Sequence, residues 1–438
     1  MPRSTPTGAA LDVRSFPGPE TITRHPLPNG PVVMVRENFS SPSVVILGYL
    51  AAGALDETPE QAGLADLTAS ALTRGTARRT FREIYETLES SGASLGIGAG
   101  THNISFRAKA LAEDLPMLLE LLADVLRQPA FPEAEVDRLR GEKLTGLAIR
   151  DQETASVAQM AFEELAYPGH PYRLPTDGYR HTVERLKAKD LKRFHASHFG
   201  PQGMLITVVG AVAAATAADQ VQAHFGSWSN PAQPPQPPLP PVKPIEGLQR
   251  KDVPIPGKSQ SDLVLGAPGP SRLDPEYLAA ALGNNVLGVF GLMGRLGDAV
   301  RKQAGLAYHA SSHLGGGLGP TPWQIEAGIA PGNVERALDL ARRELRRFTT
   351  RRITPQELSD NQANFVGRLP LQLESNEGVA SALMAIERYE LSLDFYQQYP
   401  TLIREITADQ VLHVAQRYLH PDRLAIAVAG SLATDGGR

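Results

Sequence analysis

Apolar and polar residues follow two rhythms along the first half of the chain. Residues 32–37 and 43–49 are apolar or alternate with a period of two, which predicts adjacent strands joined by a turn over 38–42. Residues 61–73 and 80–90 predict helices, and 93–98 with 103–108 predict two further strands. Over 113–127, Leu115, Leu118, Leu119, Leu122 and Val125 recur at helical spacing, and Pro132 stands where a long helix to about residue 166 would open. A shorter helix over 188–198 ends at Gly200-Pro201, and a strand over 204–210 closes the unit. Together these elements predict an α+β domain, with helices packed on a mostly antiparallel sheet.

The second half repeats the first. Ile406-Thr-Ala-Asp-Gln-Val, followed by Pro421 and Leu424-Ala-Ile-Ala-Val-Ala-Gly430, echoes Leu186-Lys-Ala-Lys-Asp-Leu, followed by Pro201 and Met204-Leu-Ile-Thr-Val-Val-Gly210. Pro201 to Pro421 and Gly210 to Gly430 are each 220 positions apart. Ser43-Val-Val-Ile-Leu-Gly48 recurs as Ser261-Asp-Leu-Val-Leu-Gly266 at a distance of 218. Two blocks in the same order at nearly the same offset indicate a duplicated unit. Between the copies, residues 231–244 hold eight prolines in fourteen positions. Proline fixes φ and removes a donor, so this run predicts an extended, semi-rigid spacer. The expected organisation is an α+β domain over 17–230, a linker over 231–246 and a homologous α+β domain over 247–433.

Composition narrows the function classes. Hydrophobic residues make up 42% of the 438, enough for two large cores. A net charge of −4 without a basic excess argues against a nucleic-acid partner. The absence of cysteine removes disulfide frameworks, thiol nucleophiles, Cys-type zinc sites and iron–sulfur clusters. The longest apolar stretch, 204–218, is too short and too rich in Ala and Gly to span a bilayer, so no membrane partner is expected. The first sixteen residues lack the apolar run of a secretory signal, which points to the cytoplasm unless a leader has been removed.

A succession of short motifs then acquires meaning: Leu27-Pro-Asn-Gly30, Ala52-Gly53 with Asp56-Glu57, Gly63-Leu-Ala65, Arg74-Gly-Thr76, His170-Pro-Tyr172, and Pro201 with Gly210. In this order they resemble the pitrilysin or insulinase-type zinc metallopeptidases, in the branch that contains mitochondrial processing peptidase. The resemblance spans residues 21–432 and implies two homologous domains per chain. It also implies two such chains enclosing a chamber that admits peptides or unfolded segments.

Active members of that family carry His-x-x-Glu-His on the first helix. Histidines at i and i+4 reach one Zn²⁺, and the glutamate meets the bound water as general base. Here the aligned positions are Asp66, Ala69 and Ser70, and the third ligand, a glutamate in the family, falls at about Gly146. One carboxylate and one hydroxyl cannot hold a catalytic zinc, so this chain is expected to carry no metal. The resemblance also supplies an Arg and a Tyr seven residues apart that hold substrate or the tetrahedral intermediate, and Arg301-Lys-Gln-Ala-Gly-Leu-Ala-Tyr308 matches that motif. A guanidinium and a phenol are apt donors to a developing oxyanion. Taken alone the pair is weak evidence, better served by a helix cap and a packed tyrosine, and it is the family resemblance that turns the balance toward substrate holding. Relatives also pair substrate with an edge strand, here Ser94, Leu95, Gly96 and Ile97, although an ordinary strand weakened by two glycines serves these residues equally well.

Other clusters read as structure. His195 and His198 have helical spacing but no carboxylate partner, His309 and His313 are too far apart on a strand to chelate one ion, and the glycines over 315–319 lack the Lys-Ser/Thr of a phosphate loop. The resulting expectation is a zinc-less subunit that places Arg301 and Tyr308 in trans in the active site of a homologous, zinc-bearing chain that cleaves peptides. The alternative is a non-enzymatic scaffold or peptide-binding homologue that pairs with itself.

Overall fold

A computed structural model describes residues 12–431. The leader question and the last two residues of the predicted second domain lie outside the described residues. Two sheets organise the chain. The first has six strands: β1 (Thr23–Pro26), β2 (Val32–Glu37), β3 (Ser43–Leu50), β4 (Ser94–Ala99), β5 (Ile104–Leu111) and β6 (Leu205–Gly210), in the order β1-β2-β6-β3-β5-β4. The second has five: β7 (Leu248–Pro254), β8 (Ser261–Pro268), β9 (Ala307–Leu314), β10 (Pro322–Ile329) and β11 (Leu424–Gly430), in the order β7-β11-β8-β10-β9. Removing β1 leaves the same topology twice. Each sheet is antiparallel except for one parallel pair, β2 with β6 and β7 with β11.

One expectation is corrected here. β2 and β3 follow each other in sequence but are not neighbours, because β6 lies between them. All six residues of β6 are buried, so its place is the sheet interior, flanked on both edges. Gly210 and Gly430 end β6 and β11 with φ of 151° and 141°. A Cβ on Gly210 would lie 2.2 Å from the Ser43 carbonyl oxygen, and one on Gly430 would lie 2.6 Å from the Ser261 Cα. The repeated glycine thus marks the same tight strand end in both copies.

The helices depart from the periodicity in two ways. The segment 61–73 condenses to a helix over Leu64–Ala71 flanked by 3-10 turns, because Gly63 enters it with φ 97°. The long helix expected from Pro132 to residue 166 is two helices, Glu133–Arg150 and Thr154–Ala166, with Pro132 as the N-cap of the first. At the polar break, Asp151-Gln152-Glu153, the chain crosses from one sheet to the other. Ala158, Ala161, Phe162 and Ala166 join the core of the second half, on the sheet face that carries Val264, Ala425, Ala427 and Ala429, where Thr154 Oγ1 also donates to Asp262 and Gln159 bonds Gln324. In return, the second half's Asn376–Arg388 helix lays Val379, Ala380, Leu383 and Ile386 on Met34, Val45, Leu47, Leu205 and Val209 of the first sheet. The two units therefore exchange a helix, and each sheet is covered on one face by its own helices and on the other by its partner's.

Equivalent buried ion pairs fix the loop after the first helix in each half. In the first half, the fully buried Asp124 carboxylate accepts from Thr76 Oγ1 (2.8 Å), Arg78 Nε (3.1 Å) and Arg79 Nη1 (2.7 Å). In the second, Glu344, 220 residues further on, faces Arg295 at 3.7 Å, and Arg295 forks onto Glu357 at 2.7 Å. The proline spacer contains neither helix nor strand and is strapped to the first half: Gln233 Nε2 donates to the Gln202 carbonyl and Gln236 Nε2 to that of His102. A helix over Ala214–Phe225 and strand β1 were not expected from the sequence. Among the described residues, no single helix is long and apolar enough to cross a membrane.

Candidate functional site

The first candidate region is the Leu64–Ala71 helix. Its N-terminus is held by Glu57, whose carboxylate accepts from the backbone N–H groups of Gly63 (3.0 Å) and Ala65. Burial pushes Glu57 up to about 8, against the pull of those two donors. One turn on, Asp66 forms an ion pair with Lys143 of the Glu133–Arg150 helix, with the two side chains only 18% and 30% exposed. Ala69 is buried in the first core, and Ser70 is half-buried. Gly146 lies one helical turn beyond Lys143, and a Cβ there would meet nothing within 4 Å. The fold thus brings the helix of Asp66 and Ser70 against the helix of Gly146. What joins them is an ammonium group.

These residues do not fit zinc. Ala69 and Gly146 carry no donor atom, the Asp66 carboxylate is already neutralised by Lys143, and a cation beside the position repels a metal ion. Among the described residues, no three His, Cys, Asp or Glu side chains are grouped to hold one. Sequence reading missed Lys143. Its signal was its place three residues before Gly146, which puts both on one helix face.

The second region is on the other half. Arg301 belongs to a π-helical turn over Gly297–Gln303, and Tyr308 is the second residue of β9. The guanidinium carbon lies 5.9 Å from the centre of the tyrosine ring, a cation–π contact, and Tyr308 is 82% exposed. Among the described residues neither side chain has an ion-pair or hydrogen-bond partner. No bond joins this pair to Asp66 or Ser70, so the structure assembles two separate groups.

Both sheets end on one of the strands in question. β4, with Ser94, Leu95, Gly96 and Ile97, pairs only with β5 and leaves its outer edge open, where Cβ atoms on Gly96 or Gly98 would meet nothing within 4 Å. β9 is the corresponding edge of the second sheet, but there the Ala310 N–H already donates to Met293 Sδ at 3.4 Å. Two of the histidines are structural. His195 bonds the Leu126 carbonyl and packs on Phe131 and Phe199, whereas His198 stacks on Phe194. His309 and His313 line a 640 Å³ cavity between the halves.

Comparison with known proteins accords with this geometry. The family model described as Insulinase (Peptidase family M16) matches residues 32–178, and that described as Peptidase M16 inactive domain matches residues 185–365. The chain belongs to the peptidase M16 family. It is 26% identical over 419 residues to an uncharacterised zinc protease of Streptomyces coelicolor, covering 94% of this chain and 90% of the relative. It is 24% identical over 260 residues to cytochrome b-c1 complex subunit 1 of Rattus norvegicus, covering 58% of this chain and 53% of that protein. A solved peptidase M16 inactive domain from Pseudomonas fluorescens superposes with a TM-score of 0.86 at 26% identity, covering 95% and 99% of the two chains. A protease from Helicobacter pylori shares the fold with a TM-score of 0.88 at 19% identity, covering 94% of this chain and 100% of that one.

Proposed function

We propose that this chain is the zinc-free subunit of a two-chain M16 metallopeptidase. Arg301 and Tyr308 serve as donors to the scissile peptide in an active site whose zinc sits on a homologous partner. The observation that carries this reading is the contrast between the two regions: the metal position is neutralised internally by Lys143, while Arg301 and Tyr308 stand together with their polar groups uncommitted. A guanidinium and a phenol held side by side can donate to the oxyanion that develops as water adds to the peptide carbonyl. The open edge of β4 offers backbone groups to an extended substrate, with the glycines admitting close approach. The zinc and the water-activating carboxylate come from the partner.

The test is co-expression with an M16 homologue bearing an intact His-x-x-Glu-His motif, purification of the pair and assay of peptide hydrolysis. Cleavage should require both chains and fall sharply with Arg301→Ala or Tyr308→Phe. Equal rates with and without these substitutions would sink the proposal. A second reading rests on the similarity to a cytochrome b-c1 subunit: a self-paired scaffold, for which a stable homodimer indifferent to the zinc-bearing chain is the diagnostic result.

A further inference from the structure

Two cavities lie where the halves meet, of 270 and 460 Å³, and they share His102, Asn103 and Arg388 as a common wall. Both are on the scale of small-ligand sites. His102 and Asn103 come from the turn between β4 and β5, whereas Arg388 is the last residue of the exchanged Asn376–Arg388 helix. The linker's Gln233 and Gln236 close the larger cavity. The wall is complete only when both halves and the linker are in place.

Arg388 is the charge at its centre. Its guanidinium carbon lies 5.5 Å from the ring centre of Tyr49 and 5.8 Å from that of Tyr389, and Tyr389 also faces Arg272 at 5.5 Å. Neither arginine has a carboxylate within 4.0 Å among the described residues. The adjacent Glu387 is committed to Arg24 at 2.7 Å. Arg388 Nε is sealed from solvent without an acceptor. Asn103, only 7% exposed, lines both cavities with a side-chain amide that makes no hydrogen bond within the described chain. The Tyr49 hydroxyl, on the larger cavity, has no partner either.

The other titratable groups on these walls do not neutralise the charge. His102 bonds the Tyr172 hydroxyl at 2.7 Å, and burial, reinforced by the Arg388 charge, holds it down to about 4, so it is neutral near pH 7. Glu163, on the smaller cavity, accepts from the Gln159 amide, and burial raises it above the usual carboxylate range. Glu390, on the larger one, is exposed.

Buried donors without acceptors are costly, and a planar guanidinium flanked by neutral donors matches an oxyanion. We propose that this inter-half cavity binds an oxyanion ligand, with Arg388 as counter-ion and the Asn103 amide and Tyr49 hydroxyl as neutral donors. The chemistry is shared by the C-terminal carboxylate of a short peptide and by a phosphate group.

Titration calorimetry on the full chain at constant ionic strength separates the sources, with acetyl-trialanine, its C-terminal amide and sodium phosphate as probes. One acidic probe should bind saturably at a 1:1 ratio and the amide should not. Preference for the acid peptide identifies a peptide terminus, and preference for phosphate a phosphorylated ligand. Arg388→Gln should weaken binding about tenfold or more and Asn103→Ala several-fold, as expected for a charged and a neutral hydrogen bond. Arg301→Ala should leave it unchanged, so failure of this site and failure of the peptidase reading are distinguishable. Absence of saturable binding by both acidic probes overturns the proposal, as does binding unaltered by the substitutions. If Arg388→Gln does not fold, Asn103→Ala decides.

Discussion

The first helix of the N-terminal half and the Arg301–Tyr308 corner of the C-terminal half lie in two copies of one fold, yet they keep opposite kinds of chemistry. Around the helix the acidic groups have found partners inside the chain: Asp66 with Lys143, and Glu57 with two backbone donors. At the corner, a guanidinium and a phenol face outward with none. An ion pair between two helices is a cross-link that costs the fold little and does no chemistry. Exposed donors held by a π-helical turn and an edge strand give no comparable stability. Their retention fits work done on another molecule.

The sharpest way to break this comparison is kinetic. In a reconstituted pair, Arg301→Ala should lower kcat/KM by about 100-fold, the scale of losing one oxyanion donor, while Asp66→Asn should change it less than twofold. A large loss from Asp66→Asn would show that the first helix still takes part.

Next in size is stability. Asp124→Ala removes the acceptor for Thr76, Arg78 and Arg79 at once and should cost about 2–4 kcal/mol in urea unfolding. Its counterpart Glu344→Ala should cost only about 1 kcal/mol, because Arg295 remains forked onto Glu357. Equal losses would show that the Arg295–Glu357 fork does not compensate for the loss of Glu344.

Smaller again is Lys143→Met, expected to cost about 1–2 kcal/mol by leaving the partly buried Asp66 unpaired, with most of that recovered in the double variant with Asp66→Leu. Metal analysis extends the test. The fourfold change Asp66→His, Ala69→Glu, Ser70→His and Gly146→Glu should bind zinc weakly while Lys143 is present and stoichiometrically once Lys143→Met is added. Tight binding with Lys143 in place would show that its ammonium does not guard the position.

The smallest effect is a pH dependence confined to the second half. Desolvation acts to raise Glu357, but the Arg295 fork and the Thr354 donors outweigh it and hold the carboxyl down to about 2. A folded value below the unfolded one contributes stability that is complete above about pH 4.5 and is lost as the pH falls toward 2. The drop in melting temperature from pH 5 to pH 3 should therefore be smaller in Glu357→Gln than in the parent chain. An unchanged slope would remove Glu357 from the account.

Much of this organisation was legible in the chain itself. The duplication showed in Pro201 with Pro421 and Gly210 with Gly430, and the strand-end geometry at both glycines explains why those residues recur. The Thr80 helix start carried its own signal, since Glu83 three residues on completes a capping box. The place of β6 between β2 and β3 was present only indirectly, in a run apolar on both faces. The exchange of helices was not legible: the apolar stripe of Thr154–Ala166 is the same whichever sheet it covers, and only the polar break at 151–153 hints at a change of direction. Arg388 and Asn103 share a wall through tertiary packing alone, and no local pattern links residues so far apart.

The exchanged helices also change what the proline-rich segment means. Each half is an incomplete protein: without Asn376–Arg388, Met34, Val45, Leu47, Leu205 and Val209 would face water, and without Thr154–Ala166 the second sheet would be bared in the same way. A protease nick in the spacer should therefore yield two fragments that stay together through purification and melt as one. The covalent tether could be cut while the mechanical unit survives, because the halves hold each other by mutual enclosure rather than by the thread between them.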